Sequence, residues 1–211
     1  MDIYVINLKE RIDRLEYIKK TFKSFKNINI NIIDAIKHEK GSIGCFLSHK
    51  KCINIAKEKK MKYIIVMEDD CAPSDNFEIR LINIINYLEK NDDWDIFLGG
   101  ITGHIKNKII KNVSIDDQTT LVYLAKGKTT HFIVYNMKCY DFFLNCDENN
   151  LPIDLCWHNN LIAVVSYPFL AKQLTAFSTI ENKTINYNLS FIKSENQIKE
   201  ILSSNIINNY D

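Results

Sequence analysis

The sequence lacks several features that point to particular classes of protein. Glycine and proline are scarce, at 6 and 3 of 211 residues, and neither an internal repeat nor a linker that would divide the chain is present. No apolar stretch reaches the roughly 18 to 20 residues that a membrane-spanning helix needs. Basic residues (27) and acidic residues (26) nearly balance, so the net charge of +1 implies no nucleic-acid partner.

The cysteines lack the spacing of a zinc-binding motif. None of the six forms a Cys-x-x-Cys pair, so we predict reduced thiols and no zinc site. No signal peptide precedes the strand-like sequence that begins at Ile3, and we therefore predict a cytoplasmic protein without a membrane anchor. The abundance of isoleucine, asparagine and lysine is typical of an AT-rich coding genome. If that genome is viral, the expected compartment is the host cytoplasm.

The sequence has enough apolar residues, 46%, to form the core of one domain. In the first hundred residues, short apolar runs alternate with segments of helical periodicity. The predicted strands are Ile3–Leu8, Ile28–Ile33, Tyr63–Met67 and Trp94–Leu98, and the predicted helices are Arg11–Phe25, Ser42–Lys59 and Phe77–Leu88. This alternation indicates a parallel sheet with helices on both faces.

The regular alternation stops near Gly100. The following residues, Ile101–Asp117, are polar and have the character of a hairpin. Further predicted elements are strands at Leu121–Ala125 and Phe132–Tyr135, helices at Met137–Leu144 and Asp154–Ala163, an extended segment at Val164–Leu174 and a helical or frayed end from Ile192.

The most apolar predicted strand ends in three consecutive acids, Glu68, Asp69 and Asp70. In open α/β sheets, ligands bind beyond the carboxyl ends of the strands. Carboxylate oxygens suit Mg²⁺ or Mn²⁺, and these ions bind phosphate oxygens. The triplet therefore indicates a metal site, although a solvated acidic turn is the alternative.

Two other segments carry candidate ligand-binding residues. The first strand has Asn7 at its end and is followed by Arg11 and Arg14. The arginines suit phosphate, unless they pair with neighbouring acids on their own helix. The segment from Gly41 to His49 combines glycines with a helix start, where free N–H groups can bind an anion. It is not a P-loop. An isolated histidine such as His49 is more often structural than catalytic.

These segments resemble the N-terminal sequence blocks of glycosyltransferase family 25, which includes bacterial lipooligosaccharide and collagen galactosyltransferases. The similar blocks are Val5-Ile6-Asn7-Leu8 with Arg11 and Arg14, Gly44-Cys45-Phe46-Leu47-Ser48-His49, Val66-Met67-Glu68-Asp69-Asp70, and later residues 94–99, 130–134, 152–154 and 168–173. They occur in order between Ile3 and Ile180. The chain departs from the family pattern at His131 and at Ser178-Thr179-Ile180.

The resemblance implies a GT-A fold, an α/β class with a Rossmann-like mixed sheet flanked by helices in a single domain. Residues 1–100 would form a nucleotide-binding half, residues 101–190 an acceptor-side half and residues 191–211 a C-terminal helix or tail. The implied reaction is inverting transfer of a hexose from UDP-galactose or UDP-glucose to a glycan or protein hydroxyl, with Mn²⁺ or Mg²⁺. Whether the chain forms a homodimer stays open.

The resemblance also implies roles for individual residues. Asp70 and Glu68 would bind the metal, and Asp154 would act as the catalytic base. The implied donor-binding residues are Asn7, Leu8, Arg11, Arg14, Ser48, Glu68, Asp69, Gly99, Thr130 and Gln173. For Asp154 the alternative is an acid favoured by a helix N-terminus, and His158 is a second candidate base. For Gln173 the alternative is a polar residue at a strand end.

Other functions remain open from the sequence. A nucleotide-sugar hydrolase on the same scaffold would differ only in using water as acceptor, and a non-catalytic module would bind UDP-sugar without turnover. A phospho-acceptor signalling domain needs acids at the end of the first strand, where this chain has Asn7 and Leu8.

Overall fold

Described residues of the computed structural model are 1–105, 109–178 and 183–207. Its strands, numbered in chain order, are β1 (Asp2–Asn7), β2 (Asn29–Asp34), β3 (Tyr63–Glu68), β4 (Cys71–Pro73), β5 (Ile96–Leu98), β6 (Ile109–Asp116), β7 (Thr119–Leu124), β8 (Phe132–Asn136), β9 (Ala163–Tyr167), β10 (Ala171–Gln173), β11 (Ala176–Ser178) and β12 (Lys183–Ile185). The α-helices are α1 (Ile12–Phe22), α2 (Gly41–Glu58), α3 (Phe77–Leu88), α4 (Tyr140–Asn145), α5 (Ile153–Cys156) and α6 (Asn188–Ile207).

Eight strands form one mixed sheet in the order β2-β1-β3-β8-β5-β9-β7-β6. β1 pairs in parallel with β2 and β3, and β5 pairs in parallel with β9. β8 lies between β3 and β5 and is antiparallel to both. The predicted α/β class with a mixed sheet flanked by helices is confirmed, whereas the parallel sheet indicated by the first hundred residues is wrong because a later strand separates β3 from β5.

Apolar residues cover both faces of this sheet, as the strand sequences require. Successive β1 residues point to opposite faces: Ile3 and Val5 join one core, and Tyr4 and Ile6 join the other. α1 and α3 pack on the first core, and α2, α4 and α6 pack on the second. Strands that are buried on both faces therefore read as continuous apolar runs.

The sequence located most elements of the first half but misjudged two features. The helix predicted at Phe77–Leu88 has those bounds. α2 begins at Gly41, one residue before its predicted start at Ser42. The helix predicted over Asp154–Ala163 ends at Cys156, because Asn159 takes a left-handed φ of 61° and the chain then enters β9.

Three further expectations concern the edges of the described chain. Thr179 and Ile180 lie outside the described residues, as do residues 106–108 of the predicted hairpin segment. The C-terminal segment is helical as far as Ile207. Among the residues with a described position, none of the helices combines the length and the apolar character needed to cross a bilayer.

Gly99 and Gly100, which follow β5, allow the chain here to approach β8 and the start of β10 closely. The Gly99 N–H donates to the Phe132 carbonyl over 2.9 Å, and its own carbonyl accepts from the N–H of Ala171 over 2.9 Å. A Cβ atom on Gly100 would lie 2.4 Å from the Ala171 carbonyl oxygen. The backbone around β10 can therefore reach its place only if position 100 has no side chain.

Gly100→Ala should lower the free energy of unfolding by about 1–3 kcal/mol, because the new methyl group overpacks against backbone that cannot rotate away. Urea denaturation measures this change. Gly127→Ala is the matched control, since its Cβ would meet only the Ile101 side chain, at 3.2 Å. A loss at position 127 as large as that at position 100 would contradict this explanation.

Candidate active site

The carboxyl ends of β1 and β3 bring the predicted donor-binding residues together. Asn7 is the last residue of β1 and Glu68 the last of β3, and Asp69 and Asp70 form the turn into β4. Because β1 and β3 are parallel, both ends lie at the same edge of the sheet. Arg14 reaches this edge from the first turns of α1.

Asp69 is held by two donors from the N-terminal segment. Asn7 Nδ2 donates to Asp69 Oδ2 over 2.7 Å, and Arg14 Nη1 donates to Asp69 Oδ1 over 2.6 Å. Burial raises the pKa of Asp69, and the bonds from Arg14 and Asn7 oppose that rise. Both oxygens of Asp69 are therefore engaged in protein contacts.

Asp70 has one engaged and one unengaged oxygen. Its Oδ2 accepts from Arg14 Nη1 and from Gln173 Nε2, each over 3.1 Å. Its Oδ1 is buried and has no hydrogen-bond partner. Burial, followed by the charge of Glu68, raises the pKa of Asp70 against the opposing effect of Arg14. A buried carboxylate oxygen without a donor fits a metal ion, which would favour the ionised carboxylate.

Gln173 reaches Asp70 through a short two-stranded sheet. β10 pairs antiparallel with β4, which sets Gln173 opposite Cys71. The backbone supports this position, because Leu174 N donates to the Asp70 carbonyl over 2.8 Å. A residue about one hundred positions later in the chain thus completes the surroundings of Asp70.

Glu68 faces α2 with its Oε1 atom. This oxygen lies 3.3 Å from His49 Nε2 and 3.6 Å from Cys45 Sγ. Burial would raise the pKa of Glu68, but the hydrogen bond and charge interaction with His49 outweigh it and lower the pKa below its ordinary value. Thr130 also lies here, with Oγ1 4.0 Å from Cys45 Sγ.

Tyr135 and Cys45 also lie at this site, although no sequence motif assigned them a role. The buried Tyr135 hydroxyl lies 2.9 Å from His49 Nδ1 and fixes the imidazole ring from behind. Burial raises the pKa of the Cys45 thiol well above its ordinary value. The spacing of Cys45 and His49, four residues apart on one helix, was the available signal, since it places both on one helical face.

Arg11 and Ser48 make contacts within the chain, and donor binding by either residue stays a prediction. Arg11 pairs with Asp13 through bonds of 2.9 and 2.8 Å, the alternative that the sequence had left open. Ser48 Oγ donates to the Gly44 carbonyl over 2.6 Å and accepts from Ile36 N over 2.8 Å. Ser48 therefore joins the segment after β2 to α2.

Leu8 and Gly99 contribute backbone groups near this edge. The Leu8 carbonyl accepts from Arg11 N over 2.8 Å, which turns the chain from β1 into α1. Gly99 bonds to β8 and to the start of β10 through its backbone. Donor binding by either residue stays a prediction.

Asp154 lies near the start of α5, where it interacts electrostatically with Glu68. Burial raises the pKa of Asp154, while the charges of Lys128 and His158 lower it. His158 Nε2 lies 2.7 Å from the Gly127 carbonyl oxygen, so this nitrogen is engaged in positioning a loop.

His131, where the chain departs from the family pattern, is a core residue. It is 1% exposed, and its Nε2 lies 3.1 Å from the Ala171 carbonyl oxygen. Burial lowers the pKa of His131 to about 4, so the imidazole is neutral at neutral pH. Its ring meets Phe191 edge-on and helps α6 pack on the sheet.

Arg14→Met should lower the free energy of unfolding by about 3 kcal/mol, because it leaves two buried carboxylates without their cation. Arg11→Met should cost less than about 1 kcal/mol, since the side chain of its partner Asp13 is 66% exposed. Urea denaturation of both variants measures the difference. Equal losses would show that the Arg14 contacts do not stabilise the fold more than an exposed pair does.

The sequence of this chain is similar to a known protein family and to several known proteins. The model of glycosyltransferase family 25 (LPS biosynthesis protein) matches residues 1–42 and 39–146. Procollagen galactosyltransferase 1-B of Xenopus laevis is 28% identical over 214 residues, covering 84% of this chain and 34% of the relative. Procollagen galactosyltransferase 2 of Homo sapiens is 23% identical over 145 residues, covering 54% of this chain and 23% of the relative.

The chain thus spans only about a third of the length of the Xenopus relative. Among solved structures, mannose-1-phosphate geranyltransferase from Thermus thermophilus aligns with a TM-score of 0.40 and 8% identity, covering 77% of this chain and 72% of that one. The family model matches well over half of the chain, which therefore belongs to glycosyltransferase family 25.

Proposed function

We propose that this chain is a metal-dependent glycosyltransferase that moves a hexose from UDP-galactose or UDP-glucose to a glycan or protein hydroxyl, with inversion at the sugar carbon. The observation that carries the proposal is the buried, unpartnered Oδ1 of Asp70 at the carboxyl end of β3. Membership of family 25 supports the transferase reaction. The galactosyltransferase names of the relatives support a hexose as the transferred group.

Asp70 would hold the ion through Oδ1, and Mn²⁺ or Mg²⁺ suits a carboxylate oxygen. When bound, the ion would offset the negative charge that develops on the diphosphate leaving group. Arg14 and Gln173 fix the other oxygen of Asp70, so the ligand atom is held in place before the donor binds. Whether Glu68 joins this metal site is a separate prediction, because its Oε1 faces α2.

Asn7 and Arg14 set the shape of the donor end of the site. Both bind Asp69, whose oxygens are thereby unavailable for a strong interaction with an ion. The guanidinium also keeps positive charge at the sheet edge, where a diphosphate would lie. Asp69 therefore acts in this proposal as the support that orients Arg14.

Asp154 is the proposed general base. Inversion requires the acceptor hydroxyl to attack while it loses its proton, and a carboxylate can take that proton. Burial raises the pKa of Asp154, which strengthens it as a base while it remains ionised. Its interaction with the charge of Glu68 supports a place close to the donor end of the site.

Asp70→Ala should weaken Mn²⁺-dependent UDP binding by more than about tenfold, because the ion loses its proposed ligand. Isothermal titration calorimetry with UDP, with and without Mn²⁺, measures this. Asp117→Ala removes an exposed acid in the turn between β6 and β7 and should leave the affinity unchanged. If Asp70→Ala binds UDP as the unmodified chain does, the metal assignment is wrong.

Asp154→Asn should lower kcat by about 10²–10⁴-fold while UDP affinity stays unchanged, because the amide cannot accept the proton. Release of UDP from the UDP-hexose in the presence of acceptor measures turnover. Asp147→Asn, an exposed acid on the preceding loop, is the control and should keep its activity. Retention of most activity by Asp154→Asn would assign the proton transfer to another group.

The same assay without acceptor separates the remaining functions. A transferase should release little free hexose under these conditions. Accumulation of free hexose at the rate seen with acceptor would identify a hydrolase. UDP binding without turnover under either condition would identify a non-catalytic module.

A further inference from the structure

A second set of ligating atoms lies on the α2 side of Glu68. The set consists of Cys45 Sγ, one ring nitrogen of His49 and a Glu68 carboxylate oxygen, and these atoms all lie within 4.8 Å of one another. We propose that they form a zinc site with three protein ligands and one open position, separate from the metal site proposed at Asp70. This inference does not depend on the proposed transferase reaction.

The distances between the three atoms fit one tetrahedral ion. Zinc binds sulfur at about 2.3 Å and nitrogen or oxygen at about 2.0 Å. Tetrahedral angles then separate the nitrogen and oxygen ligands by about 3.3 Å, and the sulfur and oxygen ligands by about 3.5 Å. The corresponding distances are 3.3 Å from His49 to Glu68 and 3.6 Å from Cys45 to Glu68. Two edges of the expected tetrahedron are therefore already present.

The ligands come from rigid elements. Cys45 and His49 are four residues apart on α2, and Glu68 ends β3, against which α2 packs. His49 is fully buried, and the Glu68 side chain is 16% exposed. A site with fixed ligands on a helix and a strand loses little conformational freedom when the ion binds.

Tyr135 supplies the outer contact that a zinc-bound histidine usually has. Its hydroxyl lies 2.9 Å from His49 Nδ1, and it is fully buried. If Nδ1–H donates to this hydroxyl, Nε2 keeps its lone pair for the ion. Such partners orient the ring of a metal-bound histidine and fix its tautomer.

Binding would exchange protons in a defined way. Cys45 would bind as a thiolate and release its proton to solvent. His49 would exchange the proton that Nε2 shares with Glu68 with solvent, so that Nε2 binds the ion and the single ring proton lies on Nδ1. Glu68 would bind as a carboxylate and give up its hydrogen bonds to the thiol and the imidazole. The thiolate and the carboxylate together balance the charge of the divalent ion.

The ligand types distinguish this site from the one at Asp70. Thiolate and imidazole select zinc over manganese or magnesium, whereas carboxylate oxygen suits the latter two. The absence of Cys-x-x-Cys pairs had predicted no zinc site, but that rule considers only cysteines close in sequence. Here the third ligand, Glu68, lies 19 residues beyond His49 in the sequence. The packing of α2 against β3 brings the two residues together.

Cobalt titration of the metal-free full chain tests the site, because Co²⁺ replaces zinc and reports its ligands by absorption. We expect one equivalent of Co²⁺ to give the visible bands of a tetrahedral ion and an ultraviolet thiolate-to-cobalt band, both removed by one equivalent of Zn²⁺. Cys45→Ser should lose the thiolate band. Cys146→Ser, which removes another partly exposed thiol, should keep it, and so should Asp70→Ala.

Tyr135→Phe should weaken cobalt binding by about ten- to a hundredfold, because it removes only the outer contact to His49. This variant keeps all three ligands and carries the test if circular dichroism shows that Cys45→Ser does not fold. Any of four results would contradict the proposed zinc site. The first two are absence of the thiolate band in the unmodified chain and its persistence in Cys45→Ser. The other two are loss of the band in Cys146→Ser and an unchanged affinity of Tyr135→Phe for Co²⁺. A defect of Asp70→Ala in UDP binding alone concerns only the donor site.

Discussion

The buried pairing of Arg14 with Asp69 and Asp70 is the interaction on which the rest of the site depends. Taking a carboxylate out of water costs several kcal/mol even after the protein relaxes, and two adjacent carboxylates also repel each other. The Arg14 guanidinium offsets both terms from a position that is itself only 12% exposed. The position of α1 against the sheet therefore depends on the pairing of Arg14 with the acids at the end of β3. Asp70 Oδ1 takes no part in this pairing and has no hydrogen-bond partner.

The insertion of β8 between β3 and β5 determines which residues surround those acids. It places Thr130, just before β8, beside Glu68 and Cys45, and it places His131 under β10. The close approach at Gly99 and Gly100 then lets the segment around β10 return along β4, which brings Gln173 to Asp70. The second half of the chain thus contributes to the site through strand pairing instead of through a separate motif.

The sequence predicted those features that follow from local periodicity. Alternating apolar runs located β1, β3 and α3, and the rule for parallel strands placed Asn7 and Arg14 at the same edge as Asp70. Features that depend on distant pairing could not be predicted in this way. The contact of Gln173 with Asp70 and that of Tyr135 with His49 join residues 103 and 86 positions apart. The early end of α5 likewise follows from Asn159 and from the pairing of β9, which tertiary contacts decide.

Glu68 links the two halves of the site electrostatically, because its charge adds to burial in raising the pKa of both Asp70 and Asp154. Without an ion on the α2 side, at the cluster of Cys45, His49 and Glu68, the Glu68 carboxylate acts on both acids with its negative charge. With zinc bound to a thiolate and a carboxylate, the same cluster becomes neutral. Asp70 and Asp154 would then ionise more readily, while a cation at Asp70 would lose part of the attraction from Glu68. These two effects on cation binding at Asp70 oppose each other. Easier ionisation of Asp70 favours the cation, and the weaker attraction from Glu68 disfavours it. Solvent screening reduces the attraction from Glu68 as the distance increases.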